Sequence, residues 1–174
     1  FNKLEIERMW HKSWVYAIHS DEVPEVGPYA QWTRLGEPLF FIRGEDNEVR
    51  CFYNTCRHRG APVVTEENGK SRGVTCKYHG WTYNTRGELI NLRDRRDFVD
   101  LDMSCRGLIQ VRCENIGNLY FVNLDPEAEP LRDQERHGQR RAVTGRDQPA
   151  EPADHGHEHQ RRGHHLAARA LGEA

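Results

Sequence analysis

The rhythm of hydrophobic and polar positions changes twice along the chain. Behind Asn2, a residue that can cap a helix, Leu4, Ile6, Met9, Trp10 and Trp14 recur at roughly helical spacing, so residues 3–13 are expected to form a short amphipathic helix. From Trp14 onward the period shortens. Segments rich in β-branched and aromatic residues, Trp14 to Ile18, Tyr29 to Leu35, Leu39 to Arg43 and Val49 to Tyr53, are separated by turn signals at Val26-Gly27-Pro28, Gly36-Glu37-Pro38 and Gly44 to Asn47. Further strands fit Gly73 to Cys76, Thr82 to Tyr83, Leu89 to Asn91, Leu108 to Arg112 and Asn118 to Leu124, with Asn84 to Gly87 and Asn115 to Gly117 as hairpin turns. Short strands in such succession predict a mainly β domain, an antiparallel sandwich or barrel with one N-terminal helix. Trp10, Trp14 and Trp32 read as its core.

The second change comes near Leu131. All sixteen aromatic residues and all four lysines lie before Val122, and the remainder is dominated by Arg, His, Gly, Ala, Gln and Pro. Without aromatic or periodic apolar positions such a segment cannot offset its ordering entropy by burial. The chain therefore divides into a domain at 1–131 and a disordered tail at 132–174, a composition that also fits a GC-rich coding sequence read out of frame. Phe1 stands where an initiator Met is expected, so the sequence reads as part of a longer frame. A net charge of −2 offers no strongly basic field for nucleic acid. No apolar run approaches the roughly 20 residues of a membrane span, and no secretory signal is recognisable. A cytoplasmic protein without a membrane partner is expected.

In a cytoplasmic chain, five cysteines with histidines close behind two of them favour metal ligation over disulfides. The motifs are Cys56-Arg57-His58-Arg59-Gly60 and Cys76-Lys77-Tyr78-His79-Gly80-Trp81, with seventeen residues, Arg59 to Thr75, between His58 and Cys76. Each offers one thiolate and one imidazole. A Rieske-type 2Fe-2S cluster needs this set, two cysteines on one iron and two histidines on the other, and the neutral imidazoles raise its reduction potential. Gly60 and Gly80 follow the histidines, where tight turns would bring backbone N–H groups toward the cluster sulfurs. Cys2His2 is also a zinc set, but zinc modules pair like with like, as Cys-x2-Cys or His-x3-His. The mixed spacing favours iron and sulfide, with a zinc-binding module as the alternative. Cys51, Cys105 and Cys113 are left as thiols. Arg57, Arg59, Arg72 and Lys77 form either a basic rim that steers an acidic electron donor or an ordinary solvated surface. Trp81 and Tyr83 either shield and hydrogen-bond the cluster or simply pack the core.

Over residues 3–131, and most specifically in NTCRHRGAPV and CKYHGWTYNTRGELI, the chain resembles the large (α) subunits of Rieske non-haem iron ring-hydroxylating oxygenases. High-potential respiratory Rieske proteins carry an additional cysteine in each loop. Here those positions hold Ala61 and Tyr78. The resemblance implies an antiparallel Rieske fold, a cluster on Cys56, His58, Cys76 and His79, and no catalytic residue within this domain. It implies electrons derived from NAD(P)H and delivered by a ferredoxin or reductase, with His79 as their exit toward a mononuclear iron(II) of a neighbouring α subunit. A β subunit is a further candidate partner, and an aromatic or similar substrate is oxidised at the mononuclear site. That site needs two histidines and a carboxylate. Asp154, His155, His157, Glu158, His159, His164 and His165 offer the right groups but lie in the aromatic-free tail, so adventitious metal binding is the expectation there. A stand-alone Rieske ferredoxin is the other reading. Such carriers are shorter and usually lack the helical approach.

Overall fold

The computed structural model describes residues 2–134. All but the first three positions of the expected tail, including its histidine-rich tract, lie outside the described residues. Residues 131–134 form a helical turn.

Ten antiparallel strands make up the fold: β1 (Val15–His19), β2 (Pro28–Trp32), β3 (Leu39–Arg43), β4 (Val49–Tyr53), β5 (Asn68–Lys70), β6 (Gly73–Thr75), β7 (Thr82–Asn84), β8 (Leu89–Asn91), β9 (Gln110–Ile116) and β10 (Leu119–Asn123). Seven of them form one sheet in the order β1-β10-β9-β4-β3-β2-β5, and β6-β7-β8 form a small second sheet. The expected antiparallel β domain is thus observed.

β3 organises the interior. Its sequence Leu-Phe-Phe-Ile-Arg is buried at every position, and successive side chains enter different cores. Leu39 and Phe41 join Ala17, Ile18, Trp32, Cys51, Val111 and Val122, whereas Phe40 and Ile42 join Phe52, Cys56, Cys76, Trp81 and Tyr83. The second core joins the large sheet to the small one, so the two cysteine motifs rest on the back of β3 and β4. Arg43 closes the strand with a buried guanidinium whose Nε donates to the Val23 carbonyl at 2.7 Å and whose Nη1 donates to the Asn47 carbonyl at 2.8 Å.

Three expectations need correction. The N-terminal helix, α1, runs Asn2–Arg8, with Asn2 inside it rather than capping it, and a separate 3-10 turn follows at Trp10–Lys12. Its apolar positions find no core among the described residues: Leu4 is 54% exposed and Trp10 41%. Of the three tryptophans read as core, only Trp32 is buried there. Trp14 instead lies against the guanidinium of Arg112, 5.6 Å from its ring centre, and its indole N–H donates to the Glu129 carbonyl at 2.9 Å. This contact belongs to a strap, residues 124–131, laid across β9 and β10. Arg112 also donates to the Pro126 and Ala128 carbonyls, and Glu114 accepts the Leu131 N–H at 2.9 Å, at the start of the last helical turn. The third correction is β5, which carries no apolar signal and forms because β2 supplies a ladder, Pro28 opposite Lys70 and Ala30 opposite Asn68.

Phe41 is wholly buried in the core remote from the cysteine motifs. Phe41→Ala is expected to destabilise the domain by about 3–5 kcal/mol, read as a lower urea midpoint at unchanged slope.

Candidate functional site

The first cysteine motif follows β4 and the second connects β6 to β7, and the two loops are closed by the same pair of backbone bonds. The Cys56 N–H donates to the Ala61 carbonyl at 2.8 Å and the Gly60 N–H to the Cys56 carbonyl at 2.9 Å; the Cys76 N–H donates to the Trp81 carbonyl at 2.8 Å and the Gly80 N–H to the Cys76 carbonyl at 2.9 Å. Both turns need a left-handed residue in the same place, and glycine occupies it, Gly60 at φ +75° and Gly80 at φ +70°. At Gly80 space matters as well, because a Cβ there would stand 3.0 Å from the Cβ of Arg93. The cysteines occupy equivalent positions at the loop bases. The histidines sit at the tips, one residue out of step, which is what the unequal Cys-x-His and Cys-x2-His spacings encode.

All four residues come together. The Nδ1 atoms of His58 and His79 face each other at 3.1 Å, with the ring planes 75° apart. Two imidazole nitrogens held about 2.1 Å from one tetrahedral metal would stand roughly 3.4 Å apart, so the pair needs little adjustment to share an ion. Burial, reinforced by repulsion from His79 and Arg59, lowers the pKa of His58, which favours the neutral imidazole a metal requires. Cys56 and Cys76 lie deeper, 3% and 1% exposed. Burial pushes the Cys56 thiol above its ordinary range, and the neighbouring Cys76 thiol adds to the rise. Thiolates in such a place need a compensating cation. Among the described residues, no three His, Cys, Asp or Glu side chains converge to hold a single metal ion. The donors form two pairs, thiol with thiol and imidazole with imidazole.

Tyr83, on β7, ties the loops together. Its hydroxyl accepts the Arg57 N–H at 3.0 Å and lies 3.3 Å from the Cys56 sulfur. Having accepted from the backbone, it has its own proton to give to the sulfur. Burial and the contact with Cys56 hold its pKa well above the usual phenol range, so that proton stays in place. Trp81 stacks on His58 with 4.9 Å between ring centres and 10° between planes, and Phe98 meets both rings edge-on. Both residues thus touch the candidate ligand set as well as packing the core.

The expected basic rim is only partly present. Arg59 lines a depression of about 340 Å³ over the histidine pair, together with Tyr78, Arg93, Asp94, Asp97 and Phe98. Lys77 is engaged elsewhere, by Glu66 at 3.3 Å and Thr65 at 2.8 Å, while Arg57 has a buried Nε, and neither it nor Arg72 lines the depression. The 93–98 segment was not legible as part of the site. Its one signal is a lone aromatic, Phe98, behind a run of alternating charges.

Asn54 was also missed. Its buried carboxamide accepts the Val63 and Val64 N–H groups at 2.8 and 2.9 Å and donates to the Val64 carbonyl at 2.8 Å, closing the first loop from behind. An asparagine two residues before a candidate ligand cysteine is the only trace of this in the sequence. The remaining cysteines are free thiols: Cys51 and Cys113, which share the other core, are held protonated by burial, Cys113 pushed up to about 12, and exposed Cys105 bonds Asp102.

This fold, with paired Cys/His loops at one end, defines an iron–sulfur domain of Rieske type. Residues 13–105 match the model of the Rieske [2Fe-2S] domain, and the chain belongs to that family, whose cofactor is a Rieske 2Fe-2S cluster. Its relatives are oxygenase subunits. It is 33% identical over 130 residues to the carnitine monooxygenase oxygenase subunit of Escherichia coli (strain K12), covering 75% of this chain and 35% of the relative. It is 33% identical over 128 residues to the biphenyl 2,3-dioxygenase subunit alpha of Rhodococcus jostii (strain RHA1), covering 73% and 28%. Among solved structures, naphthalene 1,2-dioxygenase from Rhodococcus sp. bound to indole superimposes with a TM-score of 0.71 at 34% identity, over 75% of this chain and 30% of that one. The chain thus spans about a third of the length of the curated relatives it matches. No helix among the described residues is long and apolar enough to cross a membrane.

Asn54→Ala would strip partners from two buried N–H groups and a carbonyl, at about 1–3 kcal/mol each. A loss of at least ~3 kcal/mol in chemical unfolding is expected, with a far smaller loss for exposed Asn91→Ala.

Proposed function

We propose that this chain is the electron-relay domain of a ring-hydroxylating oxygenase α subunit, with Cys56 and Cys76 on one iron of the cluster and His58 and His79 on the other. The observation that carries this reading is the sorting of four donors from two loops into a buried thiol pair and an imidazole pair with facing Nδ1 atoms. Arg57 Nε and Trp81 Nε1 fit the same picture. Both are buried on loop residues without an acceptor among the described residues, as donors toward cluster sulfurs would be. When bound, the cluster supplies a one-electron carrier of raised potential.

The chain's own groups set how that carrier is used. Tyr83, whose oxygen accepts the Arg57 N–H, would direct its own hydroxyl proton at the Cys56 sulfur, a hydrogen bond that would favour a more negative, reduced cluster. Trp81 and Phe98 keep water from the faces of His58. Among the described residues His79 has, besides His58, Tyr78 as its aromatic neighbour, tilted by 46° at 4.0 Å between ring centres, and Tyr78 is itself 64% exposed. His79 is therefore the outlet of the relay. A structurally similar quaternary ammonium Rieske monooxygenase, with a TM-score of 0.71 at 30% identity, is described in terms of inter-subunit electron transfer. By analogy, electrons from an NAD(P)H-fed ferredoxin or reductase leave through His79 for a mononuclear iron held by a neighbouring α subunit in the cytoplasm. Residues 1–131 form the relay and by themselves hydroxylate nothing.

The deciding measurement is iron, acid-labile sulfide and zinc content of the purified chain, with an EPR spectrum after dithionite reduction. Two irons and two sulfides per chain with a Rieske-type spectrum are expected, and zinc without sulfide would end the proposal. His79→Cys should move the spectrum toward the all-cysteine type. Tyr83→Phe removes one hydrogen bond to ligand sulfur, worth about 0.5–1.5 kcal/mol. It should lower the midpoint potential by roughly 20–60 mV, at 59 mV per tenfold change in a one-electron equilibrium.

A further inference from the structure

We propose that Arg93 is a positioning residue of the cluster site, bracing the second loop with its alkyl stem and raising the cluster's potential with its guanidinium, while Asp94 works against it. The inference rests on the ligand assignment above. Arg93 follows buried Leu92, and its Cβ, Cδ and Cγ lie 3.0, 3.3 and 3.7 Å from where a Gly80 Cβ would be. The stem thus lies along the one face of the loop from which a side chain is missing, beside His79. No other residue among those described has a side chain reaching within 4 Å of that point as one of its three nearest neighbours.

Arg93 lines the depression together with both imidazoles. Its one ion pair among the described residues is loose: Arg93 Nε and Asp94 Oδ2 stand 4.0 Å apart, at 77% and 73% side-chain exposure. The cation is therefore not cancelled in place. The other charged residues lining the depression are Arg59 and Asp97, one of each sign. A positive field favours the reduced cluster, which carries one more negative charge, and potential responds to such net charge. Asp94 holds a left-handed conformation, φ +58° and ψ +44°, which Asn adopts equally well. Its charge can thus be removed without disturbing the turn.

The test is a redox titration of the iron-loaded chain and three variants at low ionic strength, followed by EPR. Arg93→Met keeps the stem and loses the charge, and should lower the reduction equilibrium constant about three- to tenfold, or roughly 30–60 mV at 59 mV per tenfold. Arg93→Lys should stay within twofold of the parent. Asp94→Asn should raise the constant, and all differences should shrink as salt screens them. An unmoved midpoint in Arg93→Met, or shifts of the same sign in Arg93→Met and Asp94→Asn, would overturn the proposal. A parent chain without a Rieske-type spectrum would instead sink the ligand assignment on which it rests.

Discussion

The hydroxyl of Tyr83 is the joint on which the site depends. Tyr83 stands on the strand leaving the second loop, yet its oxygen is bonded to the backbone and sulfur of the first. Two hairpin tips that carry half a metal site each are of no use unless their separation is fixed, and exposed tips alone have little to fix it. A fully buried phenol can, because leaving its hydroxyl or the Arg57 N–H unsatisfied in that core would cost more than either bond contributes. Asn54 does the equivalent for the rear of the first loop, and the Arg93 stem for the front of the second. Side chains from outside the loops therefore brace them, and Tyr83 is itself packed among Phe40, Ile42 and Phe52 of β3 and β4.

This places the double-sided burial of β3 at the centre of the architecture. A strand with one wet face would leave the small sheet without a base. Because Phe40 and Ile42 are as buried as Leu39 and Phe41, the chain builds two cores from one strand, one that stabilises the large sheet and one that carries the metal loops. The strap at 124–131 is tied to the β1-β10-β9 side of the large sheet, through Trp14, Arg112 and Glu114. The exposed apolar residues of the N-terminal segment, Leu4 in α1 and Met9 and Trp10 behind it, lie outside both cores.

What the sequence made legible follows the strength of local signals. Leu39 to Arg43 and Val49 to Tyr53 were readable to the residue, because short runs rich in β-branched and aromatic residues between turn signals have few alternatives. Strand edges drifted where the partner decides them: β9 runs on to Ile116 because its hairpin turns at Gly117 and Asn118, and β5 exists only by pairing with β2. The four candidate ligands could be found from spacing, since a Cys/His doublet followed by Gly is rare by chance. Asn54, Arg93 and Phe98 could not. Their roles arise from contacts across nine to forty residues, and no local pattern announces a contact of that kind. The helical spacing of Leu4 to Trp14 misled in the other direction, for periodicity marks which face could be buried and not what buries it.

Charge accounts for why this ligand set suits so dry a place. Burying isolated thiolates is prohibitive, but on the proposed ligation two thiolates balance the charge of an oxidised core of two ferric ions and two sulfides, while the imidazoles add none. The oxidised site is then formally neutral and can sit beneath Trp81 and Phe98 without a buried counter-ion. Four cysteines would have left it a dianion, for which the described interior holds only the partly buried Arg57 close by. Reduction makes the neutral site an anion, and the stabilising groups lie where that change is felt: a phenol proton at the Cys56 sulfur and arginines at the rim of the histidine depression. The interior thus resists a permanent charge while its edge accommodates a transient one. A relay has that same requirement, since it must be reduced readily and must not hold the electron.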